Sequence, residues 1–125
     1  MRLLLDTHIF LWAVAGSPRL KPAARRLIES AEQVYVSAAS IWEVAIKARL
    51  GKIEADPQAL AQAIAASGFL ELAVRATHAA GVARLAAHHS DPFDRLLVAQ
   101  ALAEPLKLVT ADAALVQYGD IVLLA

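Results

Sequence analysis

Short apolar runs that stop at a polar residue recur along this chain, and each is followed by a stretch of helical period. Leu3-Leu4-Leu5 stops at Asp6 and Val34-Tyr35-Val36 at Ser37, and the predicted strand from Leu106 to Val109, broken by Lys107, stops at Thr110. A continuous apolar run is the pattern of a strand buried on both faces, as in a parallel sheet. Phe69 to Val74 and Ile121 to Leu124 complete the set of predicted strands. Between them lie helical segments from Ile9 to Ala15, closed by Gly16-Ser17-Pro18, and from Pro22 to Ala31. Others run from Ser37 or Ser40 to Leu50 with Gly51 as the stop, from Asp56-Pro57 to near Ser67-Gly68, and from Thr77 to Ala87. A further helix runs from Asp91-Pro92 to about Ala103, and Asp112 to Val116 forms a helical turn. Strands and helices in alternation predict an α/β fold whose parallel sheet is covered on both faces.

At 125 residues the chain suits one domain spanning 1–125, and no linker, repeat or low-complexity stretch divides it. A formal net charge of zero argues against a protein that coats nucleic acid by bulk charge. The absence of cysteine excludes a disulfide framework and thiolate metal sites. Arg2, the apolar stretch after it and Ala13-Val14-Ala15-Gly16 have the outline of a secretory signal, but Asp6, Thr7 and His8 interrupt the apolar region. No stretch has the length of uninterrupted apolar sequence that a spanning helix needs. The expectation is a soluble, cytoplasmic protein with no membrane partner.

In open α/β sheets the ligand site forms at the carboxyl ends of the strands. Asp6 stands directly after the first strand, Ser37 after the second with Glu43 farther along the next helix, and Thr110 and Asp112 after the fourth. Asp94 lies in the first turn of the helix opened by Asp91-Pro92. Two bare carboxylates about 4 Å apart repel by about 4 kcal/mol at an effective dielectric of 20. Several together therefore call for a cation, and oxygen ligands select a hard one, Mg²⁺ or Mn²⁺. Such an ion polarises a phosphoryl oxygen and acidifies a bound water, which suits phosphodiester hydrolysis.

Each acid also has a structural role open to it. Asp91 before Pro92 has the form of an N-cap, repeated by Asp56-Pro57, and Asp94 suits the helix dipole. Glu43 has a capping box with Ser40 or an i,i+4 pair with Lys47 available, and Asp112 a plain cap. Asp6 is the hardest to dismiss, because a carboxylate at the end of a buried strand is expensive unless solvated, paired or metal-bound. His8, His78, His88 and His89 match no zinc spacing and are expected in surface or structural roles. Trp12 and Trp42 occupy apolar helical positions and are expected in the core, and the basic residues are diffuse.

Taken together, LLLDTH, SAASIWEVAIK, DPFDRLLVAQA and LVTAD resemble the PIN-domain family, and within it the VapC-type toxins of bacterial type II toxin–antitoxin pairs. The similarity runs from Met1 to the final strand. It implies a three-layer α/β/α sandwich on a roughly five-stranded parallel sheet. It also implies a Mg²⁺- or Mn²⁺-dependent endoribonuclease that cleaves structured cellular RNA, transfer or ribosomal, as a homodimer neutralised by a small cognate antitoxin. The family's acids fall on Asp6, Glu43, Asp94 and Asp112 as catalytic and metal-binding residues, with Asp6 and Asp94 the principal ligands. Asp91 matches a DPFD variant of the third motif, and Thr110 and Ser37 sit where the family often has orienting hydroxyls. The alternative within the same fold is a non-catalytic PIN-like module that binds RNA or protein. A haloacid dehalogenase-type phosphatase would want a second aspartate where His8 stands, and a receiver domain would want an acidic pair before its first aspartate.

Overall fold

The first strand, β1 (Arg2–Leu5), divides its three leucines between two cores. Leu3 and Leu5 join one buried cluster and Leu4 the other, so this short segment is lined by protein on both faces. The computed structural model describes residues Met1–Ala125. After β1 come α1 (Thr7–Ala15), α2 (Pro22–Ser30), β2 (Gln33–Ser37), α3 (Ala38–Arg49), α4 (Pro57–Ala66) and β3 (Leu70–Leu72). The second half contains α5 (Ala76–Gly81), a 3-10 turn (Val82–Arg84), α6 (Pro92–Ala103), β4 (Lys107–Thr110), a second 3-10 turn (Ala113–Tyr118) and β5 (Val122–Leu124).

The five strands pair in parallel in the order β3-β2-β1-β4-β5. One face of the sheet packs on α1, α2, α3 and α4 through Phe10, Ala24, Val44, Leu60 and Ile64. The other packs on α6 and the second 3-10 turn through Leu97, Val98, Ala101 and Leu115. This is the expected α/β/α sandwich. The chain builds outward from β1 to β3 and then restarts on the other side of β1 with β4. The β1–β4 junction is thus the point where a ligand crevice opens at the strand ends. No helix of the protein is long and apolar enough to cross a membrane.

Several local expectations need correction. The segment from Thr77 to Ala87 is not one helix: α5 stops at Gly81 and a 3-10 turn carries the chain to Arg84. The Arg95 guanidinium takes the carbonyls of Val82 at 3.2 Å, Ala86 at 3.1 Å and His89 at 3.4 Å, which gives this stretch hydrogen bonds that a helix would otherwise supply. The strand predicted from Phe69 to Val74 pairs only over Leu70–Leu72, at the sheet edge. The α3 cap is Ser37, whose hydroxyl accepts from Ala39 N–H, so Ser40 lies inside the helix and no Ser40–Glu43 capping box forms. Trp42 is not a core residue: it is 59% exposed, its ring edge-on to Phe93 with centroids 5.2 Å apart. Trp12 is partly buried and does pack against the first core.

Candidate functional site

Asp6 is fixed at the β1–β4 junction by its backbone and by its side chain. Its N–H continues the sheet pairing by donating to Val109 at 3.0 Å, and its Oδ1 caps α1 by accepting from Ile9 N–H at 2.9 Å. The Thr110 hydroxyl donates to the other oxygen, Oδ2, at 2.5 Å. That hydroxyl in turn accepts the N–H of Asp112 at 3.0 Å, so Thr110 locks together the ends of β1 and β4. Asp112 caps its own 3-10 turn through Ala114 N–H.

Glu43 approaches from α3 and is buried. Thr7, the first residue of α1, donates its hydroxyl to Glu43 Oε1 at 2.7 Å and lies 3.0 Å from Ser40 Oγ. Lys47 meets Oε2 at 2.5 Å, the i,i+4 pair open to the sequence. That hydrogen bond, more than the charge alone, pushes the Lys47 amine above its ordinary value. Asp94 approaches from α6, where Asp91 caps the helix by accepting from Phe93 and Asp94 N–H at 2.8 and 3.0 Å. His89, in the loop before α6, places Nε2 2.8 Å from Asp94 Oδ2 and 3.7 Å from Asp112 Oδ2.

Electrostatics show that these acids share one space. Burial pushes the Asp6 carboxyl upward, opposed by the Thr110 and Ile9 hydrogen bonds, and the Glu43 charge adds to the rise. Burial first, and then the Asp91 charge, pushes Asp94 up to about 6, with Asp6 contributing in the same direction. Asp6 therefore feels Glu43, and Asp94 feels Asp6, while Asp112 joins them through the Thr110 hydroxyl and His89. Glu43 itself is bonded to Thr7 and Lys47 rather than to another acid. Ser37 serves as a helix cap, while the Thr110 hydroxyl is spent on Asp6.

The donor set suits a hard divalent ion. Burial above all holds the Asp6 and Asp94 carboxyls at raised pKa, and a bound cation would favour the charged form of both. One ligand atom each from His89, Asp94 and Asp112 lies within 4.8 Å of the other two, so these three could hold an ion together. His89 is hydrogen-bonded to Asp94, which a structural role allows, but its nearness to two of the acids is not visible in the sequence. The spacing from His89 to Asp94 follows no helical period, because the chain turns at Asp91-Pro92 between them. Thr7 was also missed, since only the packing of α1 on α3 reveals its contact with Glu43.

Comparisons with known proteins agree with this architecture. The PIN domain family model matches residues 3–121. Ribonuclease VapC22 of Mycobacterium tuberculosis is 36% identical over 115 residues, covering 87% of this chain and 85% of that protein. Among solved structures, VapBC2 from Rickettsia felis bound to a promoter DNA fragment superposes with a TM-score of 0.71 at 18% identity, covering 100% of this chain and 98% of that one. A toxin–antitoxin complex from Klebsiella pneumoniae gives a TM-score of 0.69 at 19% identity, covering 97% of this chain and 95% of that one. These structural likenesses speak for the fold, and the family model and the sequence relative speak for descent: the chain belongs to the PIN-domain family, in its VapC-type branch.

Proposed function

We propose that the protein is a divalent-metal-dependent endoribonuclease, a toxin that cleaves structured cellular RNA, transfer or ribosomal, in the cytoplasm. The observation that carries this reading is the gathering of Asp6, Glu43, Asp94 and Asp112 from four separate segments around the β1–β4 junction, with two of them held at raised pKa. Asp6 and Asp94 would be the principal ligands of Mg²⁺ or Mn²⁺, with Glu43 and Asp112 completing the acidic site. When bound, such an ion supplies Lewis-acid polarisation of a phosphoryl oxygen and acidifies water.

The chain's own groups have distinct tasks in this reading. Thr110 orients Asp6, and Thr7 and Lys47 hold Glu43 in place. Asp91 fixes the start of α6 and with it the direction of Asp94. The ribonuclease relative and the toxin–antitoxin complexes among the structural neighbours support the assignment to a toxin. By the same reading the working form is a homodimer and the partner a small cognate antitoxin protein. An apolar stripe along α3 and its C-cap, with Trp42 at 59%, Ile46 at 37% and Leu50 at 63% exposure, supports a protein-binding face.

The test is cleavage of total cellular RNA by the purified protein in Mg²⁺, in Mn²⁺ and in EDTA, beside the Asp6→Asn variant. Metal-dependent cleavage by the wild type, lost in the folded variant, is expected. Retention of RNA without cleavage in either metal would favour the non-catalytic binding module instead.

A further inference from the structure

His89 is the feature of the site that an all-acid scheme leaves unused. It reaches the acids from a loop pinned to α6: the Arg95 guanidinium, one residue beyond Asp94, donates to the His89 carbonyl at 3.4 Å and to Ala86 at 3.1 Å. The same guanidinium donates to the Tyr118 hydroxyl at 3.2 Å, and Tyr118 donates to Ala86 at 3.0 Å. The neighbouring His88 ring packs edge-on against Tyr118 with centroids 5.1 Å apart. The backbone of His89 is thus held by groups other than its own side chain, and the imidazole is left pointing at the carboxylates.

Its position fits shared coordination. Neighbouring ligands on an octahedral ion with bonds of about 2.1 Å sit about 3 Å apart. His89 Nε2 is 2.8 Å from one oxygen of Asp94 and 3.7 Å from one of Asp112, a spread that brackets this separation. Side-chain exposures of 20%, 21% and 43% for His89, Asp94 and Asp112 leave the cluster open to an ion and to its waters. We propose that His89 supplies an imidazole nitrogen to the divalent ion beside Asp94 and Asp112, making a mixed nitrogen–oxygen site that prefers Mn²⁺ to Mg²⁺. Mg²⁺ gains little from exchanging an oxygen for nitrogen, whereas ions later in the first transition row gain from imidazole. Nε2 stands at hydrogen-bond distance from Asp94 Oδ2, and to bind an ion it would exchange that contact for the metal and carry its ring proton on Nδ1.

The inference rests on the metal site of the proposed function but not on RNA as its substrate. The experiment is pulsed electron paramagnetic resonance on the full chain loaded with Mn²⁺, with Mn²⁺ and Mg²⁺ affinities measured by calorimetry. The wild type is expected to show nitrogen modulation from a directly bound imidazole. His89→Ala should abolish it and weaken Mn²⁺ binding by about tenfold while changing Mg²⁺ binding far less. His88→Ala should leave the modulation intact, and unchanged circular dichroism would show that each variant folds. Mn²⁺ bound with an oxygen-only spectrum in the wild type, or modulation that survives His89→Ala, overturns the proposal. Metal-dependent RNA cleavage with an oxygen-only spectrum sinks the His89 role and spares the nuclease. Nitrogen modulation in a protein that cuts no RNA does the reverse.

Discussion

The two ends of α6 carry polar clusters of opposite character. At the N-terminal end Asp94 stands among Asp91, Asp6 and Asp112, with burial and neighbouring negative charge pushing it up to about 6. At the C-terminal end His78 is buried and nearly every polar atom around it is answered. Its Nδ1 accepts the Arg75 N–H at 3.0 Å and its Nε2 meets Glu104 at 2.6 Å. Gln100 donates to the Ala73 carbonyl at 3.3 Å, leaving only its Oε1 without a partner. The first cluster sets one imidazole, His89, against two carboxylates, Asp94 and Asp112, and the second pairs an imidazole with one. Burial is common to both, so what separates them is the surplus of carboxylates over partners. The closed cluster fastens α5 to α6, a structural task.

This contrast can be broken by exchanging the expected outcomes. Asp94→Asn should lower RNA cleavage by at least about a hundredfold, measured at saturating Mn²⁺, while the protein unfolds no more easily than the wild type. His78→Ala should do the opposite, costing about 2–4 kcal/mol in urea denaturation while leaving the cleavage rate of the folded protein unchanged. A loss of cleavage in folded His78→Ala would mean that the two ends of the helix are coupled.

The contrast can be sharpened through pH. Asp94 has a folded-state pKa raised from 3.8 to about 6, so the folded state holds its proton over a range where the unfolded chain has lost it. In EDTA, stability should therefore fall by about 2–3 kcal/mol as pH rises from about 4 to about 6, and level off above. Saturating Mn²⁺ should remove most of that fall, because the ion favours the ionised carboxylate. Asp94→Asn in EDTA should show a flatter curve over the same range. The smallest effect concerns the cap: Asp91→Ala should cost about 1 kcal/mol in thermal or urea unfolding. It should lower cleavage only as far as it lets the first turn of α6 fray.

Much of this was legible in the sequence, for local reasons. Leu3-Leu4-Leu5 before Asp6 marks both a buried strand and its end, and the cap chemistry of Asp91-Pro92 and Asp56-Pro57 is written in adjacent residues. Where local pattern and tertiary contact disagreed, the sequence misled. Gly81 and the carbonyl-binding Arg95 cut short a helix that composition alone would extend. Trp42 occupies an apolar helical position yet faces outward, because α3 turns Val44 and not Trp42 toward the core. His89 could not be paired with Asp94 by periodicity, since a loop held by a side chain from the following helix sets their approach. Convergence of the acids depended on knowing that β1 lies beside β4, and only the order of strands in the sheet provides that.

The Thr110 hydroxyl on Asp6 spans 104 positions of chain. A ribosome making this protein emits Asp6 104 residues before Thr110, and through all of that stretch of synthesis the first acid has neither its clasp nor the neighbouring strand that seats it. The acidic cluster therefore cannot assemble until β4 has been made.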